Sequence, residues 1–547
     1  MSRIPSSRRQ FVQFLGAGSV IAAGQRLLPG WLCAQDTSLT VPAQPAPFFD
    51  GFRFTPVPPD REDRLQLPGG YRSEVLLRRG DVINAAGDRY GDCNDYVAWM
   101  EKEEGTGWLW LNHESVHFAS LFGPGAVKPG RELTLEQGEA VLRNMGGTCL
   151  EMKRDGKGNW RPVVPGPKNF RMDGLASRLR FTGPAAGTEY LGGSREAVGS
   201  LANCGGGVSP WGTFFSAEEN FQDIFGCDEM KEKPELRLPE KLRRPQSHYG
   251  YMVEVDPDTR EMWKHTALGR CAHENIAFAV TRDGRLAAYM GDDKANQHLY
   301  KYISDGKYDP AAGKANRALL EKGELYAADV KAGKWRRLAD APGMDAAKRC
   351  VYTRQAALAV RATPLARPED VEVHPVTGDV YVSLTSWKPE EPQPAVWPQG
   401  AIARLKEAGA DAGAMDFTWE IFVRAGEEAG LAWPDNLTFA PGGGVLATTD
   451  WRMTGTVRKD TAQERFGNNM LALAQTSGPD AGKVMRFATA PRYAEFCSPV
   501  LSPCRRELWV SVQHPGLVDD APDTFGSHWP DGGDTRPVSA LVCISRA

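Results

Sequence analysis

The sequence predicts an all-β protein made of repeated strand pairs, and three observations carry that expectation. Five stretches, YMVEVDPDTREMWKHTAL, IAFAVTRDGRLAAYMGD, VEVHPVTGDVYVSLTSW, LTFAPGGGVLATTDW and PVLSPCRRELWVSVQH, each pass from an apolar or alternating strand through a polar turn into a second strand. The 58 Gly and 39 Pro in 547 residues supply turns along the whole length, and 41% hydrophobic residues suffice for a large core. Helical character is secondary: one short helix is expected in residues 132–145, around LTLEQGEAVLRN. Two strands cannot bury a face alone, but pairs set around an axis bury their faces against one another and protect their edges, so a β-propeller is the favoured architecture. The spacing is irregular, with insertions expected at 303–340 and 388–415, so a sandwich or several β-domains stay open on pattern alone.

The elements follow in order. Residues 1–34 carry Arg3, Arg8, Arg9 and Arg26, no acidic residue and the stretch FVQFLGAGSVIAAG, with a processing point expected after Ala34. Ser7–Gln13, SRRQFVQ, resembles the twin-arginine export signal, which implies the twin-arginine machinery as a partner and the periplasm or exterior as the destination. Residues 35–69 read as an extended arm, rich in Pro, Asp and Arg. YRSEVLLRRGDVINAAG then opens the regular material, taken as one domain over 70–547. After the leader no apolar run reaches the roughly 18 residues that cross a bilayer, so no stable membrane insertion of the mature chain is expected. The formal charge of −4 becomes −8 without the leader's arginines. No long basic stripe is present, so a nucleic-acid partner is not expected. Nine cysteines remain after the leader, an odd number with no CxxC metal signature.

The candidate chemistry lies in polar residues at comparable places in the repeats. Glu274 precedes IAFAV, Glu369 precedes VEVHP, Asp435 precedes LTFAP and Glu495 precedes PVLSP, so blade entrances are expected to converge on the axis. In NCGGGVSPWGTFFSAEEN, the three glycines permit close backbone approach behind Cys204, and WGTFFS reads as the strand leading to Glu218 and Glu219. A thiolate with carboxylates makes a mixed soft and hard donor set; a buried small hydrophobe and a solvated strand end are the alternative. In LWLNHES, Asn112 and Glu114 stand where a strand leaves the core, and His113, like His273 and His514, is more often a hydrogen-bonded structural residue than a metal ligand. Arg367 and Glu369 share a strand face at i and i+2, fit either for an anion and a cation or for a simple ion pair. Asp292, Asp293 and Asp450 are further oxygen ligands or turn residues.

Taken in order, GDCNDYVAWM, LWLNHES, ANCGGGVSPWGTFFSAEEN, GRCAHENIAFA, AYMGDDKANQHLYKYIS, RPEDVEVHPVTGDVYVSLT and SVQHPG followed by SHWP resemble the PhoX family of exported alkaline phosphatases over about residues 70–530. The resemblance implies a six-bladed β-propeller with irregular insertions and an axial site holding ferric iron and calcium. It implies Cys204 as an iron ligand, Glu219 and Glu274 as cluster carboxylates, Arg367 as a phosphate contact and Glu369 as a calcium ligand. Asn112, Glu114, Asp435 and Glu495 follow as further metal ligands. Relatives look basic upstream of the cysteine, where this chain has Arg195 and Glu196; Arg195 is the candidate substitute, and Glu196 would oppose a dianion. Asp370 stands where relatives carry an aromatic residue.

The function so implied is metal-dependent hydrolysis of a small phosphate monoester. A phosphodiesterase or other metallohydrolase at the same site is the first alternative, and a noncatalytic, calcium-stabilised extracellular propeller the second. GxSxG is absent, which removes the usual serine hydrolase elbow, and no GxGxxG opens a Rossmann unit.

Overall fold

Alternating strands with two apolar faces need cover on both, and here each sheet is packed between two others. The structure, a computed structural model, describes residues 54–547 apart from 128–131, 230, 386–398, 441, 452–464 and 519–524. Six sheets form the blades of a propeller. Their innermost strands are Asn94–Glu103, Asn203–Val208, Ala277–Val280, Pro368–Val373, Pro434–Phe439 and Glu495–Leu501, which we number as blades 1 to 6. Each inner strand touches the next, and that of blade 6 touches that of blade 1, so the ring is closed around an axis.

The predicted strand pairs are blade hairpins. Ala277–Val280 pairs antiparallel with Arg285–Gly291, Pro368–Val373 with Val380–Leu384, Pro434–Phe439 with Val445–Thr449, and Glu495–Leu501 with Glu507–Gln513. YMVEV and EMWKH form the antiparallel pair Met252–Val255 and Met262–His265 farther out in blade 2. Closure comes from strands near the two ends of the described residues, since Tyr71–Arg78 pairs antiparallel with Ala540–Arg546 as the outer strand of blade 6. Residues before it lie along blade 5: Val57 N donates to Arg486 O at 3.1 Å, and Gln66 pairs with Thr489.

The core is divided between the blades. Trp99, Trp160 and Trp509 meet between blades 1 and 6, with ring centroids 4.4 Å and 5.5 Å apart. Burying each such ring contributes about 3–5 kcal/mol against truncation to alanine. The helix expected in 132–145 is Leu135–Asn144, opened by a capping box in which Thr134 and Gln137 satisfy each other's backbone N–H.

Two expectations are corrected. Residues 303–340 are mostly not an insertion: Leu299–Lys307, Gly323–Asp329 and Lys334–Arg337 are strands of blade 3, and only the 3₁₀ segment Pro310–Leu320 interrupts them. Likewise Ala401–Glu407 is the third strand of blade 4, because its partner Val380–Leu384 has a full edge to satisfy. The leader, residues 1–34, and the first part of the arm, through 53, lie outside the described residues.

Candidate metal centre at the axis

In an antiparallel hairpin the start of one strand lies beside the end of the other, and each blade places a pair of residues at the same end of the ring by this means. Asp95 and Glu114, Cys204 and Glu219, Glu274 and Asp293, Glu369 and Thr385, Asp435 and Asp450, and Glu495 and His514 occupy the paired positions in blades 1 to 6. The corner that makes each pair also repeats. Glu114 N donates to Cys93 O, Glu219 N to Ala202 O, Asp293 N to Ala272 O, Thr385 N to Arg367 O and Asp450 N to Trp433 O, at 2.9–3.3 Å. Four of those acceptors, Cys93, Ala202, Arg367 and Trp433, hold left-handed backbone with φ between 39° and 50°, as does Tyr493 of blade 6 at 56°. Non-glycine residues in that region cost about 1–3 kcal/mol each and persist only where the surroundings fix them. The turn aims the residue two positions later at the axis.

Three groups of donor atoms result, each with all atoms within 4.8 Å of one another: Cys204 with Glu219 and Glu274, Asp95 with Glu114 and Cys204, and Asp95 with Glu495 and Cys497. Cys204 Sγ lies 3.3 Å from Glu274 Oε1 and 3.5 Å from Asp95 Oδ2. Gln513 Nε2 donates to Asp95 Oδ2 at 2.8 Å and Glu114 Oε2 at 3.0 Å, and Asn220 Nδ2 to Glu114 Oε1 at 3.2 Å and Glu219 Oε2 at 2.6 Å. Two cations stand among these groups. Arg367 is bidentate to Asp293 at 2.8 Å and reaches Glu369 Oε1 at 2.6 Å, while Lys294 Nζ donates to Asn220 Oδ1 at 3.1 Å.

Asp95, Glu114, Glu219, Glu274, Asp293, Glu369, Asp435 and Glu495 are each at most 6% exposed. Burial and then the neighbouring Glu114 push Asp95 up to about 8. Burial likewise drives Glu219 and Glu274 far above the carboxylate range, helped by Asp293 and by Glu219 respectively, and it raises Glu369 and Asp435. Asp293 is the exception: burial raises it, but the Arg367 guanidinium, a hydrogen bond with Glu219 and the charge of Lys294 together hold it low. Like charges about 5 Å apart repel by about 3 kcal/mol at an effective dielectric near 20. Several such pairs exceed the roughly 5–15 kcal/mol that stabilises a domain, so the group must take up protons or multivalent cations. Asp95 Oδ1 and Glu369 Oε2 are buried without a hydrogen bond, and a thiol among carboxylates is a donor set for a transition ion beside hard ones. The residues therefore fit a metal cluster.

Of the residues singled out from sequence, Cys204, Glu219, Glu274, Glu369, Glu114, Asp435, Glu495 and Arg367 stand at this end of the ring. Two do not serve as expected. Asn112 is committed to the fold: its Nδ2 donates to Cys204 O and Gly205 O, and its Oδ1 accepts from Trp110 Nε1 and Ser216 Oγ. It holds the Cys204 strand and has no lone pair left for an ion. Arg195 is exposed beside Glu196–Val198, the outermost strand of blade 2, five strand spacings and so about 24 Å from the inner strand. Glu218 faces the other way from Glu219 and forms a fully buried ion pair with Lys264 at 2.7 Å. His113 is held between Asp92 O and Thr148 Oγ1, and His273 on Gly269 O. Asp95, Cys497, Lys294 and Gln513 escaped sequence reasoning. The entrance rule that found Glu274, Glu369, Asp435 and Glu495 also yields Asp95 once blade 1 is recognised.

The sequence model of the family described as alkaline phosphatase PhoX matches residues 52–516. Among solved structures, PhoX of Pseudomonas fluorescens in complex with vanadate, a transition state analogue, is 28% identical with a TM-score of 0.80, over 90% of this chain and 98% of that one. A gluconolactonase of Xanthomonas campestris aligns over 90% of this chain and 98% of its own at 10% identity, but with a TM-score of 0.36. No curated protein matches.

Proposed function

Since the chain belongs to the PhoX family of alkaline phosphatases, we propose that its axial site hydrolyses small phosphate monoesters and releases inorganic phosphate. The observation that carries this reading is the ring of buried carboxylates and thiols converging on one end of the axis with Arg367 and Lys294 among them. Ferric iron suits Cys204 with Glu219 and Glu274, and calcium suits Glu369, Asp435, Glu495 and Glu114. When bound, such cations supply Lewis-acid charge to the phosphoryl oxygens and lower the proton affinity of water.

The chain's own residues bind and orient the ester. Arg367 commits Nε and Nη2 to carboxylates, while its Nη1 forms no hydrogen bond within the described residues. That donor edge suits a phosphoryl oxygen, with the fork held rigid by Asp293. Lys294 takes the part the sequence reading gave to Arg195, since two of its three N–H donors are not engaged by Asn220. Fixed donors of this kind stabilise charge that spreads over the equatorial oxygens in the transition state.

The placement of Glu196 bears on the choice of ester. It is exposed on the outermost strand of blade 2 and does not face the axis, so the repulsion that favoured a phosphodiester is removed. Ser7–Gln13 supports export through the twin-arginine machinery to the periplasm or beyond. The test is a matched pair of assays on iron- and calcium-replete protein. Hydrolysis of a simple monoester well ahead of a diester is expected. A faster diester rate reverses the preference, and no hydrolysis of either, with calcium-dependent stability retained, leaves the noncatalytic propeller.

A further inference from the structure

The two cations, Lys294 and Arg367, belong to one small unit of chain. Asp292, Asp293 and Lys294 follow the second strand of blade 3, and Lys294 N donates back to Asp292 O at 2.7 Å, a turn of three residues. Gln297 N then donates to Lys294 O at 3.1 Å, and Asn296 takes left-handed backbone at φ 63°. Ala295 and Gln297 pair antiparallel with Ala366 and Leu365, and Arg367 is the next residue along. The place of Lys294 relative to Arg367 is therefore set by this two-stranded ladder and by whatever holds its base at Asp292.

What holds that base comes from outside the ring of inner strands. Asp293 reaches Arg367 at the axis, whereas its neighbour Asp292 turns to Arg354. Arg354 lies on the helix Thr353–Ala359, whose Ala356 and Ala357 are fully buried in the core against blade 3. Its Nε donates to Asp292 Oδ2 at 2.7 Å and its Nη2 to Asp292 Oδ1, and the two residues are 5% and 0% exposed. The same Oδ1 accepts from Ala272 N at 3.1 Å, and Asp292 forms a bridge with His273. A planar fork on both oxygens fixes a carboxylate in orientation as well as in place. Among the described residues the Arg354 guanidinium hydrogen-bonds to Asp292 alone.

We infer that Arg354 is a positioning residue for phosphate: by fixing Asp292 it sets where Lys294 stands relative to Arg367, and so how tightly that pair holds a phosphoryl group. It acts without touching the ester. The inference rests on the phosphate reading of the two cations given above, and it adds a residue that this reading does not contain.

The test is a double-mutant cycle read by inhibition with inorganic phosphate. Metal-replete full-length protein carries Arg354→Lys, Lys294→Met or both, and iron and calcium content, melting temperature, KM and kcat are measured alongside. Lysine keeps the charge but cannot reproduce the fork. Arg354→Lys should weaken inhibition and raise KM about three-fold or more, with kcat less affected and metal content held, and it should add little once Lys294 is replaced, because residues that act through one another are not additive. A merely structural role gives the same change in both backgrounds, so full additivity overturns the inference, as does parent-like inhibition in folded Arg354→Lys. Loss of bound metal in that variant makes the pair a prop of the metal centre and overturns it too. Should Arg354→Lys not fold, Asp292→Asn takes its place in the cycle with the same outcomes. If Lys294→Met alone leaves inhibition unchanged, the phosphate contact itself fails and the inference falls with it.

Discussion

At the scale of single residues, the site is governed by carboxylates that stay buried against their own repulsion. The sign of the pH effect follows. In metal-free protein Asp95 has a folded value of about 8 against an ordinary one near 3.9. Its contribution is therefore present in full below about pH 4 and lost as pH rises through about 8, and the raised Glu219, Glu274, Glu369 and Asp435 act in the same sense. Chelated protein should melt lower at pH 9 than at pH 6, and re-addition of metal should restore most at pH 9, where the ligands are fully ionised. A melting temperature flat with pH after chelation contradicts this. The two cations give a second prediction. Arg367→Ala and Lys294→Met should each weaken inhibition by inorganic phosphate about ten-fold or more, the equivalent of a charged hydrogen bond of about 1.5–3 kcal/mol, with metal content held. Unchanged inhibition removes the residue from the phosphate contact.

At the scale of the elements, the inner strand of blade 2 shows how sequence becomes position. A Cβ on Gly205 meets Glu274 O at 2.2 Å, and one on Gly207 meets Ile276 O at 2.3 Å. These are backbone atoms of the next blade, so the glycines are needed for close approach and bring Cys204 beside Glu274. Gly205→Ala should destabilise the fold by about 1–3 kcal/mol and lower metal content together with activity, read by denaturant melts and elemental analysis. A stable variant with full metal content sinks this account of the glycines. The glycine run and the hairpins were legible in the sequence, because turn chemistry and strand alternation are local. The left-handed corners were not. They fall on Cys93, Ala202, Arg367, Trp433 and Tyr493, residue types that carry no such signal, and they are held by a hydrogen bond or packing from the neighbouring strand. Asp95 was overlooked because blade 1 was not recognised, and Cys497 because the register break that follows it has no local signal; Arg195, nine residues from Cys204 along the chain, was placed at the axis although an intervening loop carries it to the rim. The strands in 303–340 were lost for a related reason: pairing partners far along the chain, not local pattern, make them strands.

At the scale of the whole molecule, the ring is closed by chain ends, and the site depends on that closure because blades 1 and 6 both supply it. Deleting residues through Arg78 removes the strand Tyr71–Arg78 and exposes the edge of Ala540–Arg546, which is an aggregation hazard. The truncated chain should run as aggregate on size exclusion and hold less metal; a soluble monomer with full metal content shows that the closure is dispensable. On the function proposed above, the ring also accounts for phosphate binding by a negatively charged protein: the acidic residues at the axis would serve as ligands, and the charge presented to the ester would be that of the cations they hold together with Arg367 and Lys294. The most direct test of this is elemental analysis of the purified protein and its Cys204→Ala variant, paired with the rate on a phosphomonoester before chelation, after it and on metal re-addition. The account predicts bound iron and calcium in the parent, a rate that falls and returns with them, and joint loss of iron and activity in the variant. A full rate from folded protein that holds no multivalent cation contradicts it.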